Sequence, residues 1–269
     1  MRRDWFEANR NLWNDRVPIH VGSDFYGVDG FKAGGEILHA YELEEVGPLE
    51  GKGLVHLQCH FGMDTLACAR RGARVTGLDL SEAGIAAAQK LAAEMEIPAR
   101  FVVANVYEAV EALGETYDVV YTGRGALNWL PDVSRWAKVV HALLRPGGFL
   151  YLNEFHPVTD MMADDSFEIE YDYFGRPEGY FFDDGLTYTE AGGERTEHKD
   201  SYEWIHPTSA VITALLDVGL RIELFREHEF SVFGRFPFLE LETDGSRRIY
   251  RMPEGKPRLP FMYSIRARK

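Results

Sequence analysis

From residue 51 onward the chain alternates short apolar runs with helix-spaced apolar patterns, and this alternation restricts it to an α/β fold, a parallel sheet wound by helices. Leu54-Val55-His56-Leu57 reads as the first strand. A helix follows from Met63 to Arg71, with Met63, Leu66 and Ala67 on one face and Gly72 placed to stop it. Arg74 to Leu78 is the second strand. Ser81 then caps a helix whose apolar face is Ile85, Ala88, Leu91, Ala92 and Met95. Phe101 to Ala104 and Asp118 to Tyr121 are the third and fourth strands. A helix from Val133 to Leu144 ends at Arg145-Pro146-Gly147-Gly148, and a fifth strand runs from Phe149 to Asn153. The alternation breaks over 158–206 and resumes with a helix from Pro207 to Val218, a sixth strand from Leu220 to Leu224 and a last strand from Phe261 to Ala267.

No internal repeat or low-complexity linker divides the 269 residues, so one elaborated domain is expected over 1–269. Its parts are an N-terminal cap (1–50), a core (51–157 and 207–269) and an insertion (158–206). Fourteen acids against three bases, and ten aromatics between Phe167 and Trp204, mark the insertion as an aromatic and acidic lid. Leu186–Thr189 and Arg195–His198, flanking Ala191-Gly192-Gly193, suggest a hairpin that makes the lid β-rich. The alternative is a surface that pairs with a second copy in a homodimer or covers the sheet edge.

The formal charge of −14 disfavours nucleic acid and anionic membrane as partners. No stretch approaches the roughly 18 to 20 apolar residues of a membrane span, and MRRDWFEANRNLW has no apolar signal core. With only Cys59 and Cys68, a reduced cytoplasmic location is expected. His198 and His206 lack metal-ligand spacing, so no metal is expected. Residues 247–269 carry eight bases and one acid, and this basic arm is expected to meet the acidic lid over the site.

In an open parallel sheet, ligands bind beyond the carboxyl ends of the strands. Those positions hold Gln58-Cys59-His60-Phe61-Gly62, Asp79, Asn105 and Thr122-Gly123. Asp79, seventeen residues after Gly62, can accept both hydroxyls of a ribose. His156 follows the fifth strand and is the expected catalytic base, taking a proton from an acceptor hydroxyl or amine. The alternative is that it only shapes the pocket. A pyrophosphate-binding GxGxxG turn is absent, which makes a nucleotide-dependent oxidoreductase the weaker enzyme reading.

The motifs LVHLQCHFG, VTGLDLS, FVVANV, YDVVYTG and LLRPGGFLYLNE resemble those of the class I S-adenosylmethionine-dependent methyltransferases, over about 51–154, 207–228 and 261–267. More closely, WND near residue 13, LQCHFGMDTL, GALNWLPD and EFHP resemble a bacterial branch of small-molecule methyltransferases. The resemblance implies a Rossmann-like seven-stranded sheet with an antiparallel last strand. It implies S-adenosylmethionine as cofactor, S-adenosylhomocysteine as product and a small-molecule acceptor methylated at oxygen or nitrogen. Asp79 falls on the ribose-binding acid with Leu80 beside it, Asn105 on the residue facing the adenine amino group, and Val106 on its neighbour. Gln58, Cys59, His60 and Gly62 fall on the loop that holds the methionine end, Thr122 on the fourth strand's end, and Tyr26 on an N-terminal cap with Trp13 and His20. Gln58 and His60 stand where the family usually has glycines. Ordinary dihedrals are expected there, with both side chains offered to the cofactor; the other outcome is a pocket that binds poorly, as in a non-catalytic cofactor-binding protein.

Overall fold

The computed structural model describes residues 2–189, 195–244 and 247–269. Five parallel strands come first: β1 (Gly53–Leu57), β2 (Arg74–Asp79), β3 (Ala99–Val103), β4 (Tyr117–Thr122) and β5 (Leu144–Phe155). β6 (Arg221–His228) and β7 (Met262–Arg268) complete a seven-stranded sheet in the order β3-β2-β1-β4-β5-β7-β6, with β7 antiparallel to both neighbours. The central β1 is buried along its whole length, which explains its unbroken apolar run. The sixth strand runs four residues past Leu224, because each step pairs with β7 as far as Met262 opposite His228.

Five longer helices accompany the sheet: α1 (Arg3–Val21), α2 (Met63–Arg70), α3 (Glu82–Glu94), α4 (Val133–Leu143) and α5 (Thr208–Asp217). Ser81 Oγ accepts from Gly84 N at 2.9 Å and starts α3, whose Ile85, Ala88, Leu91 and Ala92 are buried at helical spacing. α2 and α3 cover one face. α4 and α5 cover the other, where Trp136 and Val140 of α4 are fully buried beside Val211 and Leu215 of α5. Each fully buried aliphatic side chain contributes about 1.5–3 kcal/mol. The first fifty residues do more than cap the strand ends: Phe31, Ile37, Leu38 and Val46, in and around the short helices Val28–Lys32 and Ala40–Val46, pack into the α2–α3 core.

Two small sheets stand apart from the main one. In the insertion, Tyr180–Phe182 pairs antiparallel with Ser201–Glu203, so the ladder lies outside the expected Leu186–Thr189 and Arg195–His198 segments, which are not strands. Thr196 N does donate to Gly185 O at 3.1 Å, one residue before the first segment, while the expected Ala191–Gly193 turn lies outside the described residues. The second sheet, which the apolar pattern did not reveal, joins Phe230–Ser231, Glu240–Asp244 and Arg247–Arg251. Among the described residues, the ion pairs of Arg251 and Arg258 run to this sheet and to the chain entering it, not to the lid as expected. Arg251 pairs with Glu242 at 3.1 Å and Arg258 with Glu229 at 3.1 Å, whereas the lid's Asp160 and Asp164 face Arg235 at 3.9 and 3.6 Å. Arg247 and Arg248 do border the cleft beyond the strand ends.

Candidate active site

The loop from β1 to α2 carries the first surprise. Gln58 and His60 adopt φ of 58° and 52°, and Gly62 has φ 80°, so the expected ordinary dihedrals are not found. The backbone follows a left-handed path with two side chains in place of hydrogen, at a cost of about 1 kcal/mol or more each. Long-range contacts offset it. Gln58 Nε2 donates to Ala126 O at 2.8 Å, His60 N donates to Asp79 Oδ2 at 2.7 Å, and His60 Nε2 lies 2.8 Å from His20 Nδ1. Burial pushes both histidines down, His20 to about 3, so the pair is neutral and shares one proton across the contact. At Gly62 no side chain fits, since an added Cβ would lie 2.8 Å from Ala88 Cβ and from the Phe101 ring. Gly62→Ala is expected to destabilise the fold by on the order of 3 kcal/mol, read as a lower urea midpoint with unchanged slope.

Asp79, at the end of β2, holds this loop from below and is half-buried. Its Oδ2 takes the His60 amide and its Oδ1 the Ser81 amide at 2.9 Å, which leaves each oxygen a lone pair toward the cleft. Burial pushes its carboxyl up to about 6. Leu80 and Asn105 border the same end of the cleft, with Val106 beneath them at 4% exposure. Asn105 Oδ1 already accepts from Tyr107 N at 3.0 Å and caps the short helix Val106–Glu108, so an adenine contact would use its second lone pair. Tyr26 borders the cleft, stacked on His20 and hydrogen-bonded through its hydroxyl to the Tyr188 hydroxyl of the insertion.

Three expected residues are not brought into the cleft by their side chains. Cys59 Sγ points into the core toward Gly77 and Phe101, and burial pushes its thiol well up, so the side chain is inert. Thr122 is fully buried below the floor of the site. His156, the expected base, is 3% exposed and turned away. Its Nδ1 accepts from Val158 N at 3.2 Å to cap the helix Pro157–Asp160, and its Nε2 lies 3.0 Å from Glu227 Oε1. Both ring nitrogens are used and burial lowers its pKa, so a structural role replaces the catalytic one.

The neighbouring Glu154 is what sequence reasoning passed over. Its carboxylate accepts from four backbone amides, those of Gly125, Ala126, Leu127 and Phe155, and so pins the loop after β4 to the end of β5. A second hub on the other side of the loop ties Arg124 to Glu42 and Asp64, each at 2.8 Å.

Residues 55–150, from β1 into β5, match a protein family described as a methyltransferase domain. Over these residues the chain is similar to methyltransferase domains. The chain as a whole has the fold of solved methyltransferases, which overlay nearly all of it. The CcbJ methyltransferase from Streptomyces caelestis aligns with a TM-score of 0.62 at 15% identity, covering 96% of this chain and 97% of that one. An S-adenosylmethionine-dependent methyltransferase from Mesorhizobium loti aligns with a TM-score of 0.55 at 20% identity, covering 90% and 100%. In sequence, a ubiquinone biosynthesis O-methyltransferase of Pseudomonas syringae pv. tomato is 32% identical over 148 residues, which is 55% of this chain and 60% of that relative.

Above this segment, α1 and the insertion close over the strand ends. Asn14 Oδ1 accepts from Ser81 Oγ at 2.6 Å and ties α1 to the start of α3. Asn9 exchanges two hydrogen bonds with the Tyr202 backbone, at 2.8 and 2.9 Å, and ties α1 to the insertion. The insertion reaches the loop after β4 through Trp204 N to Asn128 O at 2.7 Å and Asn128 Nδ2 to Glu203 Oε2 at 2.9 Å. Between these layers lies a cleft of about 1,020 Å³, at the upper end of the roughly 300–1,000 Å³ typical of ligand sites. Its walls include Trp13, Tyr26, Trp129, Phe155, Tyr188 and Phe233. No helix among the described residues is long and apolar enough to cross a membrane.

Proposed function

We propose that the chain binds S-adenosylmethionine and transfers its methyl group to a small-molecule acceptor, at oxygen or nitrogen. The observation that carries this reading is the left-handed loop 58–62 held directly against Asp79. It leaves a carboxylate with free lone pairs at the ribose position and sets the Gln58–Gly62 loop along the cleft at the methionine position. Unpartnered buried atoms support the fit: Gln58 and Asn128 line the cleft, and Gln58 Oε1 and Asn128 Oδ1 are buried acceptors with no protein donor. When bound, S-adenosylmethionine supplies an electrophilic methyl group on a positively charged sulfur.

This chain's own residues bind, orient and exclude water. Asp79 would hold the ribose, Leu80, Asn105 and Val106 the adenine, and Gln58 with the 58–62 backbone the amino-acid end. Glu154 fixes the loop 125–127, so that Asn128 and Trp129 face the acceptor from below while α1 and the insertion cover it. Rate acceleration would then come chiefly from holding the nucleophile in line in a dry aromatic site. An oxygen acceptor is also in keeping with the named activity of the Pseudomonas relative, an O-methyltransferase, although the chain spans only 60% of that relative's length.

The test is a methyl-labelled donor incubated with a panel of phenols, carboxylic acids and amines, scoring acceptor-dependent S-adenosylhomocysteine corrected for hydrolysis. Turnover that disappears in Asp79→Ala supports the reading. Donor-product binding without transfer to any acceptor would favour a cofactor-binding protein instead.

A further inference from the structure

Arg16, on α1, is a buried cation without a counter-ion. It is 8% exposed, and no carboxylate lies within 4 Å of it among the described residues. Its guanidinium sits 5.2 Å from the Trp13 ring and 5.6 Å from the Trp129 ring. Nη2 donates to Leu186 O at 2.6 Å, and Nε has no partner although it is buried. The two tryptophan rings hold the guanidinium at the cleft wall, and Nη2 is its only nitrogen with a hydrogen-bond partner among the described residues. Burial lowers its pKa, with Glu203 and Asp184 offsetting part of that from beyond ion-pair distance.

We propose that Arg16 recognises a carboxylate on the methyl acceptor, which makes the acceptor class a planar aromatic acid. The proposal rests on the methyl-transfer reading above. Three features select this ligand. A guanidinium fork matches a carboxylate with two parallel hydrogen bonds, and a buried guanidinium gains most from a charged acceptor. Glu203 and Asp184 nearby disfavour a dianion such as a phosphate monoester, because a single guanidinium would not balance it. Finally, Arg16 contacts Trp13, which also covers the loop 58–62, and it contacts Trp129 and Leu186, residues of the loop after β4 and of the insertion. Its hydrogen bond runs to the insertion, which assigns the fork to the acceptor, and the rings of Trp129, Tyr188 and Phe233 border the space an aromatic body would fill.

The test uses the full chain saturated with S-adenosylhomocysteine and titrated calorimetrically with 4-hydroxybenzoate, its neutral amide and 4-hydroxybenzylamine. The acid is expected to bind at least about tenfold more tightly than the amide, and the amine most weakly. In Arg16→Gln the acid-to-amide ratio falls to about one; in Arg16→Lys, which keeps the charge should the glutamine variant fold poorly, part of the preference survives. S-adenosylhomocysteine affinity stays the same in both variants. A wild-type protein with no preference for the acid overturns the proposal, as does a preference that persists in Arg16→Gln. A loss of S-adenosylhomocysteine affinity in Arg16→Gln, with methylthioadenosine affinity unchanged, overturns it too, because Arg16 would then hold the donor's own carboxylate. Wild-type protein that fails to bind S-adenosylhomocysteine removes the methyl-transfer reading first and this proposal with it.

Discussion

Asp79→Ala lowers the affinity for S-adenosylhomocysteine by about 10²- to 10⁴-fold. The carboxylate offers two charge-assisted hydrogen bonds to the ribose, each contributing about 1.5–3 kcal/mol. It also holds the His60 amide, so the loop loses its anchor at the same time. A pH dependence accompanies this. Burial places the free carboxyl at about 6, and the ribose hydroxyls need its ionised form. Affinity is therefore level above about pH 7 and falls as the pH drops through 6. Stability runs the other way. The folded pKa lies above the ordinary carboxylate value, so the group favours folding below about pH 4, and that contribution is lost as the pH rises through 6. Asp79→Asn removes both slopes. Titration calorimetry from pH 5 to 8 on the two variants checks the binding arm; an affinity in Asp79→Ala within threefold of wild type contradicts it.

Glu154→Ala produces the largest loss of stability. The side chain is 5% exposed and accepts from four main-chain amides, which its removal leaves without partners in the interior. At about 1–3 kcal/mol for each orphaned donor, less where water enters the space, the loss is on the order of 4 kcal/mol or more. That is a large fraction of the roughly 5–15 kcal/mol that holds a domain together. Glu154→Gln keeps the volume but sets an amide NH₂ against backbone donors, so it recovers only part of the loss. Urea unfolding measures the change, and hydrogen exchange should show the amides of 125–127 losing protection before those of β1. A destabilisation below 1 kcal/mol would mean that the loop is held by something else.

What could be read from the residues, and what could not, divides by range. β1 to β5 and the helices α2, α3 and α4 were legible because burial imposes its period on neighbouring residues, and α3 starts at Ser81 where a cap was expected, whereas the short helices Val106–Glu108 and Ala109–Leu113 were not. The positions of Asp79 and Asn105 were legible for the same reason, since each immediately follows a strand. The left-handed dihedrals of Gln58 and His60 were not. Residue type alone argues against φ near 55°, and the contacts that hold it there come from Ala126, 68 residues on, and His20, 40 residues back. His156 stood at the right place after a strand, but its ring direction depends on Val158 and on Glu227 of a distant strand. Arg16 gave no local signal at all, because its partner Leu186 lies 170 residues away. Glu154, next to His156 in the same motif, carried the stronger burial cue: an acid ending an apolar strand must find donors.

The most direct test of the account is calorimetric titration of the wild-type chain at pH 7.5 with S-adenosylhomocysteine, run beside NAD. The account predicts one site per chain for S-adenosylhomocysteine, lost in Asp79→Ala, and no heat from NAD. Binding of NAD with none of S-adenosylhomocysteine, or S-adenosylhomocysteine binding that survives Asp79→Ala unchanged, would contradict it.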